Sequence, residues 1–309
     1  MKNFLLLLLL LNLASCGSTS SKKSSTNTED EEIEKEFAGI KNEDFKAQKP
    51  LPFKRSEDFY TGEESLYDSL ATESISRLPE EQLENIEEKE DPIATLASLC
   101  YRKQFEKADK LFDASYEKYK LFPSYWNSVG TCHYLKGEKR KAFLYYNKSR
   151  DLSKDYSPAY NNLGVIYLEE GKDQKALLAF QKAYDLGSFS LTPIFNLGQL
   201  YLKYGFVEKA QPLFTALYQK NSTDTDVVHA LSTCYLLENN SNKALELLES
   251  MDSKVRNGKV QVRLNYIVAL SMSGNKKKAQ SLYAGIENEP KGSLGNYYQK
   301  VGKYLGVSK

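Results

Sequence analysis

The sequence predicts an all-α fold, an α-solenoid of about six helix hairpins with a C-terminal capping helix and a disordered N-terminal tether. Three observations predict it. Alanine recurs at 108, 142, 176, 210, 244 and 279, with spacings of 34 throughout except a last one of 35. Glycines and aromatic residues recur in the same register. A separate apolar stripe follows the last unit. A fixed period in this range marks a chain in which each unit buries its apolar face against its neighbours only.

With each alanine set at repeat position 20, the units begin at 89, 123, 157, 191, 225 and 260. Position 8 then holds Gly130, Gly164 and Gly198, and position 7 holds Val129, Leu163, Leu197 and Leu231. Position 11 holds His133, Tyr167, Tyr201 and Tyr235. Position 24 holds Phe112, Tyr146, Phe180, Phe214, Leu248 and Tyr283. Positions 4, 7, 8 and 11 share one face of a helix, as do 20, 24 and 27. Position 15 lies between them and holds Gly137, Gly171, Gly205 and Gly274, with Asn239 in the fifth unit. Glycine there can end one helix and turn the chain into the next. Small residues at 8 and 20 let the paired helices approach, and large ones at 4, 11 and 24 fill the space between.

Tyr160, Leu163, Gly164, Tyr167, Gly171, Ala176, Phe180 and Ala183 in the third unit, with Trp126 in the second, carry a resemblance to the tetratricopeptide repeat. It covers residues 89–293. The first and sixth units are degenerate: the first has Leu96 at position 8 and Lys103 at position 15, and the sixth is held mainly by Gly274, Ala279 and Tyr283. Terminal units are expected to be atypical because one of their faces is solvated. Pro212 falls inside the second helix of the fourth unit and is expected to bend it or interrupt its hydrogen bonding. The extra residue of the last spacing is expected near Asn257-Gly258, a turn dipeptide. Residues 294–309 carry Leu294, Tyr297, Tyr298, Val301, Tyr304 and Leu305 at helical spacing, which predicts the capping helix.

The first 15 residues read as a signal peptide. Lys2 precedes a run of leucines from Leu5 to Leu11, and small residues lead to Cys16. The apolar core is short for a bilayer span. Leu13-Ala14-Ser15-Cys16 resembles the bacterial lipobox. That resemblance implies a covalent diacylglycerol and an N-acyl lipid on Cys16 and no other cofactor. Several acyl chains anchor a protein stably where one is marginal. Gly17 in place of Asp implies, by the sorting rule of such lipoproteins, the bacterial outer membrane, with the repeats facing the periplasm. Residues 16–62 read as the lipidated cysteine and a disordered acidic tether, able to reach on the order of 130 Å when stretched and about 35 Å as a coil. Residues 63–88 read as an acidic helical segment in which Pro79 starts a second helix. It either docks on the first unit or folds with a partner.

A net charge of +1 hides a gradient. Residues 29–92 hold 21 acidic and 8 basic residues, and residues 254–309 hold 2 acidic and 11 basic. The basic end is a candidate for contact with an anionic surface or with the acidic segment; solvated faces that merely differ are the plainer reading. Nucleic acid is not expected as a partner.

In the resembled family, positions 2, 5, 6, 9, 12 and 13 of the first helices line a concave groove. Carried onto this chain, the candidate peptide-binding residues are Asn127, Tyr134, Asn161, Asn162, Leu168, Phe195, Asn196, Gln199, His229 and Asn265. A row of amides can serve both donors and acceptors of an extended peptide. The alternative is that these asparagines brace the helix packing. The family's basic carboxylate clamp is missing, so an internal peptide or a partner helix fits better than a chain terminus.

No catalytic motif is present. His133 replaces a core tyrosine and reads as a packed histidine. Glu169 and Glu170 lie beside a turn and read as solvated. Cys100, Cys132 and Cys234 lack metal-site spacing, and no metal is expected. Core packing explains all three, and a Cys100–Cys132 disulfide stays open in an oxidising compartment. The functional expectation is a membrane-anchored scaffold that binds envelope proteins. A lipid anchor with about six such repeats resembles the pilotin lipoproteins that help type IV pilus secretins assemble. An adaptor recruiting cell-wall synthases or hydrolases, and a passive spacer, are the alternatives.

Overall fold

A computed structural model describes residues 92–187 and 191–307. The leader, Cys16, the tether and the 63–88 segment lie outside the described residues. Those described form fourteen helices and no strand. They are α1 (Pro92–Tyr101), α2 (Phe105–Tyr119), α3 (Pro123–Leu135), α4 (Lys139–Leu152), α5 (Ser157–Glu169), α6 (Asp173–Asp185) and α7 (Thr192–Lys203), followed by α8 (Val207–Lys220), α9 (Thr225–Leu237), α10 (Ser241–Ser250), α11 (Ser253–Gly258), α12 (Val260–Met272), α13 (Lys276–Ala284) and α14 (Gly292–Leu305). The chain divides into two compact units whose boundary, between Asn196 and Leu197, runs through α7.

One turn geometry makes every hairpin. The residue at position 15 is left-handed in all six repeats, with φ of 59° at Lys103, 83° at Gly137, 72° at Gly171, 75° at Gly205, 61° at Asn239 and 88° at Gly274. In each, the amide at position 16 donates to the carbonyl at position 11, over 2.8–2.9 Å. This closes the first helix with a Schellman-type cap and aims the chain into the second. Lys103 and Asn239 therefore hold a conformation that glycine takes without a side-chain penalty.

In the first unit, α3 packs on α4 and α5 on α6. Ala142 and Ala176 are fully buried at these contacts. A Cβ on Gly130 would fall 2.7 Å from the Tyr146 ring, and one on Gly164 would fall 2.6 Å from the Phe180 ring. The glycine is thus the socket into which the position-24 aromatic fits. The first hairpin is held by an aromatic cluster. Trp126 stacks on Tyr145 at 5.6 Å, meets Phe112, Tyr116 and Tyr125 edge-on, and donates its indole N–H to the Lys120 carbonyl at 2.7 Å. Cys100 on α1 and Cys132 on α3 form a disulfide, with Cα atoms 5.0 Å apart.

The second unit repeats the scheme with two changes. The Phe214 ring lies 2.8 Å from a Cβ built on Gly198. Pro212 sits inside α8, yet the helix runs unbroken from Val207 to Lys220. The local cost is the one amide that proline lacks. The extra residue of the fifth repeat is absorbed by splitting its second helix. α10 stops at Ser250, Asp252 caps the short α11 by accepting from the amides of Lys254 and Val255, and Asn257 and Gly258 are its last residues. The Arg256 guanidinium then donates to the Leu248 carbonyl at 3.1 Å and lies over the Tyr266 ring at 4.6 Å.

Helix α14 packs on α12 and α13, burying Tyr297, Tyr298, Val301 and Leu305. Tyr298 stacks on Tyr283 with centroids 4.5 Å apart, and the Tyr283 hydroxyl donates to the Tyr298 carbonyl. Gly306, at φ 73°, ends the helix.

Candidate functional site

The asparagines expected to offer their amides to a peptide form a ladder among themselves. Asn127 on α3, Asn161 and Asn162 on α5, and Asn265 on α12 are buried, at 3% exposure or less. Asn162 Nδ2 donates to Asn127 Oδ1 at 2.9 Å, and Asn196 Nδ2 donates to Asn161 Oδ1 at 2.9 Å. Asn161 Nδ2 joins the two by donating to Asn162 Oδ1 at 3.3 Å. In the second unit Asn265 Nδ2 lies 2.9 Å from His229 Nε2. Each of the three clips runs from position 6 of one repeat to position 5 of the repeat before.

This corrects the reading of a row of amides open to a backbone. Buried amides must find partners within the fold, and position 5 of the preceding repeat supplies them. The bracing alternative describes Asn127, Asn161, Asn162 and Asn265. Of the other candidates, Tyr134, Leu168, Phe195, Asn196, Gln199 and His229 are half-buried and reach the surface in part.

A second link has the same offset and escaped the sequence reading. The Tyr134 hydroxyl donates to Glu169 Oε1, 35 residues on, and Lys139 Nζ lies 2.9 Å from Glu169 Oε2. Glu169 is therefore not a solvated turn carboxylate; its side chain is 19% exposed and held between α3 and α4. Glu170 is the more open of the two and pairs with Lys172 at 3.0 Å. The signal was present in the spacing, since a polar pair 35 apart faces across neighbouring first helices.

The remaining chemistry-bearing residues are packed. His133 stacks on Tyr145 at 5.0 Å and its Nδ1 lies 2.6 Å from Glu138 Oε2, which holds the Glu138 carboxyl below its ordinary range. Cys234 is buried in α9, and that burial pushes its thiol pKa up, away from reactivity. Burial lowers the His229 pKa from 6.5 to about 4, with Asp226 opposing and Lys259 reinforcing the shift. Among the described residues, no group of three or more His, Cys, Asp or Glu is placed to hold a metal ion. No helix among them is long and apolar enough to cross a membrane.

No protein-family model matches the chain, and no curated protein sequence matches it. Solved structures do. PilF of Pseudomonas aeruginosa superposes with a TM-score of 0.57 at 15% identity, over 67% of this chain and 95% of that one. PilW, described as a widely conserved type IV pilus biogenesis factor, gives 0.54 at 13% identity, over 66% and 95%. YrrB, described as a TPR protein with an unusual peptide-binding site, gives 0.50 at 20% identity, over 61% and 97%. The fold is that of a tetratricopeptide-repeat protein. At these identities the likeness establishes the fold alone, and function has to be argued from residues.

Proposed function

We propose that this tetratricopeptide-repeat protein is a lipid-anchored scaffold of the bacterial outer membrane. Its first helices hold a peptide or helix of an envelope protein, and it assists assembly or localisation of an envelope complex such as a type IV pilus secretin. The observation that carries the reading is the Leu13-Ala14-Ser15-Cys16 lipobox on the same chain as a repeat fold built for protein contacts. The likeness to PilW supports it at the level of fold. The Cys100–Cys132 disulfide suits an oxidising compartment outside the cytosol.

In the first unit the partner would meet the half-buried side chains Tyr134 and Leu168, on first helices braced by mutually bonded asparagines. Helices braced in this way give a rigid surface, and its shape and apolar edge then select the ligand.

Two measurements test the proposal. Mass analysis of the mature N-terminal peptide should show Cys16 first and acylated; an intact or unlipidated leader overturns the anchor. Photoreactive side chains at Tyr134 and Leu168 in intact cells should capture a secretin subunit. Capture of a cell-wall synthase or hydrolase would favour the adaptor reading instead, and no specific adduct at either position would sink the groove reading.

A further inference from the structure

The clip of the second unit differs from the others because one of its members titrates. Both sides of the Asn265 amide are engaged. Its Nδ2 faces both His229 Nε2 at 2.9 Å and Thr233 Oγ1 at 2.8 Å, and its Oδ1 accepts from the Tyr297 hydroxyl at 2.7 Å. The Thr233 hydroxyl donates to the His229 carbonyl at 2.8 Å, so its oxygen has only lone pairs left for Asn265. That fixes the amide with its nitrogen toward α9. Turning it over would set Oδ1 against the Thr233 lone pairs. With the amide so placed, His229 Nε2 accepts and the imidazole is neutral.

We propose that the His229–Asn265–Tyr297 chain is an acid-sensitive latch, which ties α9, α12 and α14 together at neutral pH and releases when His229 takes up a proton. A protonated Nε2 would place two donors 2.9 Å apart and cost the chain its acceptor at that point. The latch reaches α14 because Tyr297 is fully buried and its hydroxyl donates to the same amide. Among the described residues, the charges acting on the ring are Asp226 on its own helix and Lys259 at the start of α12. They pair with each other at 3.2 Å and act on His229 in opposite directions.

The direction follows from linkage. The folded-state pKa, about 4, lies below the ordinary 6.5, so the open state binds the proton more tightly. The latch is at full strength above pH 6.5 and weakens as pH falls toward 4. At pH 5.0 the population of the opened form should be about 30-fold higher than at pH 7.5.

Hydrogen exchange on the full chain tests this, with rates corrected for the intrinsic pH dependence and the wild type compared with His229→Gln, whose amide can accept but cannot titrate. The expected result is an extra loss of protection in α14 of about 30-fold at pH 5.0, seen in the wild type and absent from the variant. An equal pH response in the two proteins overturns the latch. If the variant does not fold, an NMR titration of His229 in the wild type decides: an ordinary pKa near 6.5 overturns the proposal, and one below about 5 supports it.

Discussion

Replacing Gly164 with alanine tests the packing rule that organises both units. A Cβ at Gly164 would lie 2.6 Å from Cε1 and 2.7 Å from Cδ1 of Phe180. Carbon atoms pack best at about 3.5–4.0 Å, so the ring must retreat by about 1 Å. It has little room, because Phe180, Ala176 and Ala183 are all fully buried. Overpacking of this kind costs about 1–3 kcal/mol, against which alanine gains about 1 kcal/mol over glycine inside a helix. With the Phe180 ring fully enclosed the upper part of that range, about 2–3 kcal/mol, applies, and the net expectation is a loss of about 1–2 kcal/mol, which urea unfolding followed by far-UV circular dichroism resolves. A nearest-neighbour treatment suits the data, since repeat arrays need not unfold in one step. Adding Phe180→Leu should relieve the clash, so the double variant should cost less than the sum of the two single changes by about 1 kcal/mol. A Gly164→Ala protein as stable as the wild type, or strictly additive costs, would refute the socket reading. Gly198 offers a graded comparison, because its added Cβ meets Phe214 at 2.8, 3.0 and 3.2 Å and should cost less.

The other predictions concern the devices around that socket. Lys103→Gly and Asn239→Gly should each stabilise by about 0.5–1 kcal/mol, measured by the same unfolding assay, because both residues hold left-handed backbone. Asn162→Ala should lose about 2–4 kcal/mol, since it strips the acceptor from Asn161 and the donor from Asn127, both buried; a loss under half a kcal/mol would mean the ladder is dispensable. Reducing the Cys100–Cys132 disulfide should lower stability by about 3 kcal/mol and raise exchange in α1 first, whereas Cys234→Ala should leave the response to reductant unchanged.

Much of the fold could be read without coordinates, because each hairpin is a local object. The small residues at 8 and 20, the large one at 24 and the turn at 15 lie within one repeat. Their spacing alone fixes which faces meet. The stripe from Leu294 to Leu305 was legible for the same reason. Lys103 was less legible. Its residue type does not announce a left-handed turn, and only the bond from the Gln104 amide to the Leu99 carbonyl shows that it keeps the geometry of the glycines.

What the sequence determined by itself, then, was the period and the hairpin. The tertiary structure decided where the amides point, that Cys100 reaches Cys132, and that Glu169 answers Tyr134. Those contacts join different repeats, across 32 to 35 residues. They depend on how each hairpin is turned against the one before it. A polar side chain at the edge of a helix face can serve a ligand or a neighbour equally well on composition alone. The rotation of one first helix against the next is set by the shapes of all the side chains between them. That rotation closed the asparagines onto one another and left Tyr134 and Leu168 at the surface.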